Sequence, residues 1–326
     1  MRASGMAVKV VRQVEQRSGA VRNLLKYAGM AARTFGAAVT GGYQVVVAHY
    51  IFPSGPIARI AAGMRRAPLI IYSHGSDVLL ADRGWPIGPM TRSACRHARL
   101  VIVPSADQAT LVSDRLGVPA DRIRIIPIGV DAEGLVVPSR AEARSAEHLG
   151  EERVLLFAGA LDSNKGEGLG EVLHALAREP LAETRLIAVG EGPRASELRA
   201  LAEDLAVASR VTWLPFVERD RILRLEKAAD AVVVPSRRES LGLVALESAA
   251  LGTPVIATRV GGLPEHVRPG VTGELYEPGD VEGLVAATSK VLSSRDAYSP
   301  TLDPRFTLSR TGEALAEACE EAIESR

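Results

Sequence analysis

The sequence predicts an α/β fold of two Rossmann-like domains, each a parallel sheet with helices on both faces, and three observations carry that prediction. Short apolar runs without polar alternation, such as Leu100–Val103 and Ala231–Val234, read as strands buried on both faces. These runs alternate with helical stretches: strands fall near 44, 69, 100 and 123 in the first half, and near 154, 184, 211, 231 and 254 in the second. One unit is also written twice, because LVIVPSADQATLV at 100–112 and AVVVPSRRESLGLV at 231–244 are the same strand, PS turn and helix. The repetition is one of architecture and has no short period. A chain of 326 residues, 47% hydrophobic, is ample for two domains, and 39 basic against 39 acidic residues leave no net charge to attract nucleic acid.

Taken in order, residues 1–40 read as mostly helical, with Arg2, Lys9, Arg12, Arg17, Arg22, Lys26 and Arg33 set against Glu15 alone. Such an excess favours peripheral contact with an anionic membrane surface, although a solvated helix is the plainer reading. No apolar span there is long enough for a membrane helix or an obvious signal peptide. The strand from Gln44 to Ala48 ends at His49, and the strand from Leu69 to Ser73 ends at His74, followed by Gly75, Ser76 and Asp77. A lone histidine is more often a structural hydrogen-bonder than a catalyst, and Asp77 is as good a helix cap as a substrate contact. His49, His97, His148, His174 and His266 are read as structural. Residues 127–150 are polar and contain proline, which suggests a boundary there: a first domain over 1–135, a linker over 136–150 and a second domain over 151–304. Residues 278–296 and 305–325 read as helices. Cys95 and Cys319, far apart in sequence, fit a reducing cytoplasm without a disulfide framework. No Asp-x-Asp pair offers itself to a divalent ion, so no metal and no cofactor is expected.

The most informative stretch is Val232–Val267, in which Glu239 and Glu247 bracket seven residues across a strand-to-helix turn. Ligands of doubly wound sheets collect outside the carboxyl ends of strands, where the first N–H groups of the next helix lack internal partners. Here those amides are expected at Ser240, Leu241, Gly242 and Leu243, suited to a diphosphate. Leu243, Leu246, Ala250 and Leu251 give the helix an apolar stripe. On spacing alone, two glutamates eight residues apart are a solvated helix face. Gly190 and Gly192, in AVGEGPRASEL, mark a tight turn after a strand, which by itself is weak evidence.

The ordered context resembles the retaining glycosyltransferases of family 4, whose signature is a glutamate pair with seven residues between, set in a PS…E-[ST]-[FL]-G line that runs on to G-x-P-V. The likeness covers Tyr43 to the C-terminus and is most specific over Val154–Asp280. It implies a GT-B fold whose last helix, 305–326, returns to the N-terminal domain. It implies a nucleotide diphosphate sugar as donor, with a glycan, glycolipid or small molecule as acceptor. Glu239 then contacts the donor hexose, Glu247 holds the ribose hydroxyls, and Lys165 with the 240–243 amides meets the departing diphosphate. The loops of Gly190 and Gly192 approach the nucleotide, and His74, in HGSDV, reaches the donor sugar. Two departures stand out. Ala160 occupies the place of an expected arginine in FAGALDSNKGEGL, a loss of about 1.5–3 kcal/mol of charge-assisted contact unless Arg237 or Arg238 substitutes. The first strand and glycine-rich loop of the family are also not evident before Tyr43, so the N-terminal domain is expected to be shortened or to start late. These departures keep open a non-catalytic nucleotide- or partner-binding protein and, less favoured, a sugar-nucleotide epimerase.

Overall fold

The computed structural model describes residues 6–11, 20–132, 134–135 and 137–325; Arg2, Arg12, Glu15 and Arg17 of the basic N-terminal set lie outside them. The chain forms two compact units, one of Met1–Pro127 with Ser309–Arg326 and one of Ile128–Leu308.

In the first unit the order is α1 (Ala20–Thr40), β1 (Val46–His49), α2 (Ser54–Arg65), β2 (Leu69–Tyr72), α3 (Ile87–His97), β3 (Leu100–Val103), α4 (Ala106–Leu116) and β4 (Ile123–Ile125). The four strands lie side by side in sequence order, all parallel. Pairing of β1 with β2 sets His49 opposite Tyr72, so both histidine-bearing ends emerge at the same edge. Leu69, Ile71, Val101 and Val103 point to one face and pack with Ala58, Ala62, Ala94 and Val112 of the helices.

The second unit runs α5 (Arg140–Ala146), β5 (Arg153–Ala158), α6 (Lys165–Leu176), β6 (Thr184–Val189), α7 (Ala195–Asp204), β7 (Val211–Leu214), α8 (Arg219–Ala228), β8 (Ala231–Val234), α9 (Leu243–Ala250), β9 (Val255–Thr258), β10 (Gly273–Tyr276) and α10 (Val281–Ser293). Its six-stranded parallel sheet has the order β10-β9-β8-β5-β6-β7. Successive residues serve opposite faces, as continuous apolar strands require. Leu155, Phe157, Ala231 and Val233 join one core, and Val154, Leu156, Val232 and Val234 the other. The closing helix α11 (Leu308–Glu324) joins the first unit, where Thr311 Oγ1 donates to Pro127 O at 2.8 Å and Arg124 Nε to Glu321 Oε2 at 3.0 Å.

The expected linker over 136–150 is corrected. Ser139 and Glu142 form a capping box that starts α5. The buried Arg144 donates to Ala228 O at 3.0 Å and Glu152 O at 2.7 Å and stands 3.4 Å from Asp230, so the segment is built into the second unit. Polar composition suggested a spacer, but here the polar atoms close helix ends and sheet edges. Strand β10 was not anticipated, because Glu274 interrupts a run of only four residues.

Candidate active site

In the second sheet β5 and β8 are neighbours, while β6 and β7 lie on one side and β9 and β10 on the other. The chain leaving β5 and the chain leaving β8 therefore turn to opposite sides of the sheet, and ligands of doubly wound folds collect at such a switch point. Asp162 Oδ1 accepts from the N–H groups of Asn164 and Lys165, both at 2.9 Å, and so closes the start of α6. Asn164 then ties the two loops together: its Oδ1 accepts from Arg238 N at 2.8 Å, its Nδ2 donates to Arg238 O at 3.0 Å, and its main-chain O accepts from Arg237 N at 3.3 Å. This clamp brings Lys165 Nζ to 3.5 Å from Glu239 Oε2, with the side chains 27% and 14% exposed. Ser236 Oγ donates to the same carboxylate oxygen at 3.1 Å. Asn164 carried no signal in the sequence, since its work is a tertiary contact between loops.

None of the backbone N–H groups of Ser240, Leu241, Gly242, Leu243 and Val244 donates to a protein acceptor among the described residues. Amides concentrated this way at a helix start form an anion cradle. Gly242 has φ +87°, and a Cβ there would press on Leu263 and Glu239. The cradle is fastened from behind. Leu241 is buried with Leu246 and Phe306, and its carbonyl accepts from His266 Nε2 at 2.6 Å. Burial holds the His266 imidazole below its ordinary 6.5, which keeps it neutral. The helix itself starts at Leu243, so Ser240 and Leu241 precede it, and Leu243 is 42% exposed rather than part of the expected apolar stripe.

Glu247 lies on α9 with Arg219 Nη2 at 2.7 Å, a partner the sequence did not suggest. Behind this pair, Glu226 of α8 is fully buried, and neither of its oxygens has a hydrogen-bond partner among the described residues. Burial first, then the Glu247 charge, pushes its carboxyl well above the ordinary 4.5, which favours the protonated form. Arg237, expected to face the diphosphate, is instead held by Glu167 at 3.0 Å and by Glu171. The reason is electrostatic: Glu171 is buried on α6, and desolvation penalises its charge unless a cation stands beside it. Gly190 and Gly192 serve close packing, since side chains there would collide with the carbonyls of Gly159 and Leu161. Ala160 is exposed on the loop that leads to Lys165.

In the first unit, His49 Nδ1 and His74 Nε2 are 3.1 Å apart, and the Tyr50 and Tyr72 rings lie 4.3 Å and 5.3 Å from His74. A shared hydrogen between two ring nitrogens requires at least one imidazole to be neutral. Burial lowers both histidines from 6.5, and for His74 the neighbouring His49 adds to the effect. Asp77 is consumed in shaping this loop: it accepts from Ile51 N at 2.7 Å, Ser73 Oγ at 2.8 Å, His74 N at 3.1 Å and Gly75 N at 3.0 Å. Sequence reasoning set His49 aside as structural, and the pairing of β1 with β2 is what brings it to His74.

The family model for glycosyl transferases group 1 matches residues 139–301, and that for glycosyltransferase family 4 matches residues 4–134. The chain belongs to the glycosyl transferases group 1 family. Among curated relatives, D-inositol 3-phosphate glycosyltransferase of Mycobacterium marinum is 34% identical over 92% of this chain and 68% of its own length. The Mycobacterium bovis protein of the same name is 36% identical over 74% of this chain, which spans 52% of that relative's length. Among solved structures, sucrose-phosphate synthase from Thermosynechococcus elongatus superposes with a TM-score of 0.77 at 24% identity, covering 95% of this chain and 81% of its own. The Anabaena protein HepE in complex with UDP-glucose gives 0.76 at 23%, covering 94% and 90%. These neighbours establish the GT-B fold for this family member. Among the described residues no group of three or more His, Cys, Asp or Glu side chains is arranged to hold a metal ion.

Proposed function

We propose that this glycosyltransferase family member is a metal-independent, retaining hexosyltransferase that draws its sugar from a nucleotide diphosphate donor bound by the second unit. The observation that carries the reading is the meeting of Lys165 and Glu239 at 3.5 Å beside a loop of unpaired amides. The amides and the ammonium suit a developing diphosphate leaving group, and stabilising that charge supplies most of the catalysis. Glu239, as a carboxylate acceptor, suits sugar hydroxyls, and Glu247 suits the ribose, with Arg219 giving way or sharing. No side chain is assigned as nucleophile; the acceptor attacks from the leaving-group face, assisted by the phosphate. HepE was solved with UDP-glucose, which favours a uridine donor, and the relatives' name favours a small phosphorylated polyol as acceptor over a glycan or glycolipid. His74 and His49 are the first unit's proposed contribution to transfer. Two buried free cysteines suit a cytoplasmic enzyme, and contact of the basic N-terminal segment with the inner face of the membrane belongs to the same proposal. No described helix is long and apolar enough to cross a membrane.

Calorimetric titration with UDP, GDP and ADP, on the wild type and on Glu247→Ala, tests the donor site. Saturable binding of one nucleotide, weakened in the variant, is expected; equal affinity in both would remove Glu247 from the site. A non-catalytic reading draws on Ala160 and on the engagement of Arg237 by Glu167 and Glu171, which leaves the missing cation unreplaced by that residue. Ala160→Arg separates the two, because an enzyme keeps or gains turnover and a scaffold gains none.

A further inference from the structure

At the opposite end of the first sheet from His49 and His74, where β2, β3 and β4 begin, lies a crevice of about 820 Å³. Its cationic walls are Arg59 from α2, Arg66 just after it, His97 at the end of α3, Arg99 between α3 and β3, and Arg122 just before β4. Ala62 and Leu69 contribute to an apolar floor, and among the described residues no aspartate or glutamate lines it.

Arg59 and Arg122 are oriented by neutral groups, and Arg99 is anchored through its backbone N–H to Leu69 O at 2.7 Å. His97 Nδ1 is 2.8 Å from Ser93 O, a carbonyl that only accepts, so that nitrogen carries the hydrogen. Nε2 of His97 is then a lone pair, and it accepts from Arg59 Nη2 at 3.1 Å, while Arg59 Nη1 donates to Ser93 Oγ at 2.7 Å. Arg122 Nη1 donates to Arg96 O at 3.1 Å and Ala98 O at 3.3 Å. Among the described residues no carboxylate pairs with Arg59, Arg99 or Arg122. Glu321, on the α11 side of the unit, is taken by Arg124. The Arg59 and Arg122 guanidinium groups, fixed in place by carbonyls, a hydroxyl and a neutral imidazole, keep their full charge, and the planar forks of arginines match phosphate oxygens. A volume of this size holds a ligand larger than a lone ion.

We propose that this crevice is a second anion site, binding a phosphate-class group, a phosphomonoester or pyrophosphate, through Arg59, Arg99 and Arg122. A free phosphorylated metabolite and an anionic lipid headgroup present the same chemistry. The proposal is independent of the donor site, which lies in the second unit.

Titration of the full chain with inorganic pyrophosphate, alongside sedimentation with phosphatidylcholine vesicles made with and without phosphatidylglycerol, tests it. Four proteins are compared: wild type, Arg59→Glu with Arg99→Glu, Lys165→Ala, and a charge-matched control of Arg83→Glu with Arg153→Glu. Saturable pyrophosphate binding that weakens at least about tenfold in the Arg59/Arg99 variant only supports a free phosphate ligand. Binding only to phosphatidylglycerol vesicles, lost in the same variant only, supports a headgroup. Should the Arg59/Arg99 variant not fold by circular dichroism, Arg99→Ala replaces it, with a smaller loss expected. Binding that depends on Lys165 alone, that falls equally in the charge-matched control, or that is absent from both probes overturns the proposal.

Discussion

Lys165 and Glu239 meet across two loops, and the consequence for binding is specific. Lys165→Ala is expected to weaken nucleoside diphosphate binding by about 10- to 100-fold, the size of one charge-assisted contact to phosphate, with little change in melting temperature because the pair is partly solvated. Calorimetry with a parallel thermal melt checks both halves of that statement. At the histidine pair the expectation concerns pH. Burial holds His49 and His74 below their ordinary 6.5, so both are neutral at pH 7, and acidification charges groups that the folded state prefers uncharged. Transfer is expected to decline as pH falls below that range, and His74→Gln is expected to remove the acid limb of the kcat/KM profile along with most of the activity; a variant with the wild-type profile would free His74 of any role. At this scale the sequence, through motif order, singled out Glu239, Glu247, Lys165 and His74 as candidates. It was silent on Asn164, Arg219 and the partnership of His49, since each acts through a residue distant in sequence.

Elements decide how the cradle is presented. Gly242 ends the loop before α9 with φ +87°, and a Cβ there would meet Leu263. Gly242→Ala is therefore expected to destabilise by about 1–3 kcal/mol, as left-handed backbone and a filled gap both oppose it, and to weaken nucleotide binding by moving the amides. Denaturant unfolding and calorimetry on one preparation test this; unchanged binding in a folded variant would detach the amide loop from the donor. Periodicity located α9 but placed its start too early, because Ser240 and Leu241 share the apolar and small-residue pattern of the helix without its geometry. Strand β10 escaped for a different reason. Its Glu274 is held by Lys290 at 2.7 Å and by the Tyr298 hydroxyl at 2.7 Å, so a carboxylate sits in a strand position where the sequence offers no sign of its partners.

For the molecule as a whole, the buried Glu226 links stability to pH. Its folded carboxyl titrates well above the ordinary 4.5, so between 4.5 and that higher value the native state holds a proton that the unfolded chain has released. Stability is therefore undiminished below 4.5 and falls as pH rises through the window, by at most about 1.4 kcal/mol per pH unit for one proton. Glu171, also raised, adds in the same direction. Glu226→Gln is expected to be more stable than wild type at pH 8 and to lose part of this slope in urea unfolding from pH 5 to pH 8, whereas parallel slopes would show that Glu226 ionises freely.

By itself the sequence determined the two-domain α/β architecture and the alternation of strands and helices. Those follow from periodicity and local order, which a linear chain displays. Only the tertiary structure decided that residues 137–150 belong to the second unit, that Arg237 serves Glu171, that His49 joins His74 and that four arginines share one crevice. Each of these depends on which distant groups are neighbours once the sheets have assembled, and burial then sets the charge that each group carries.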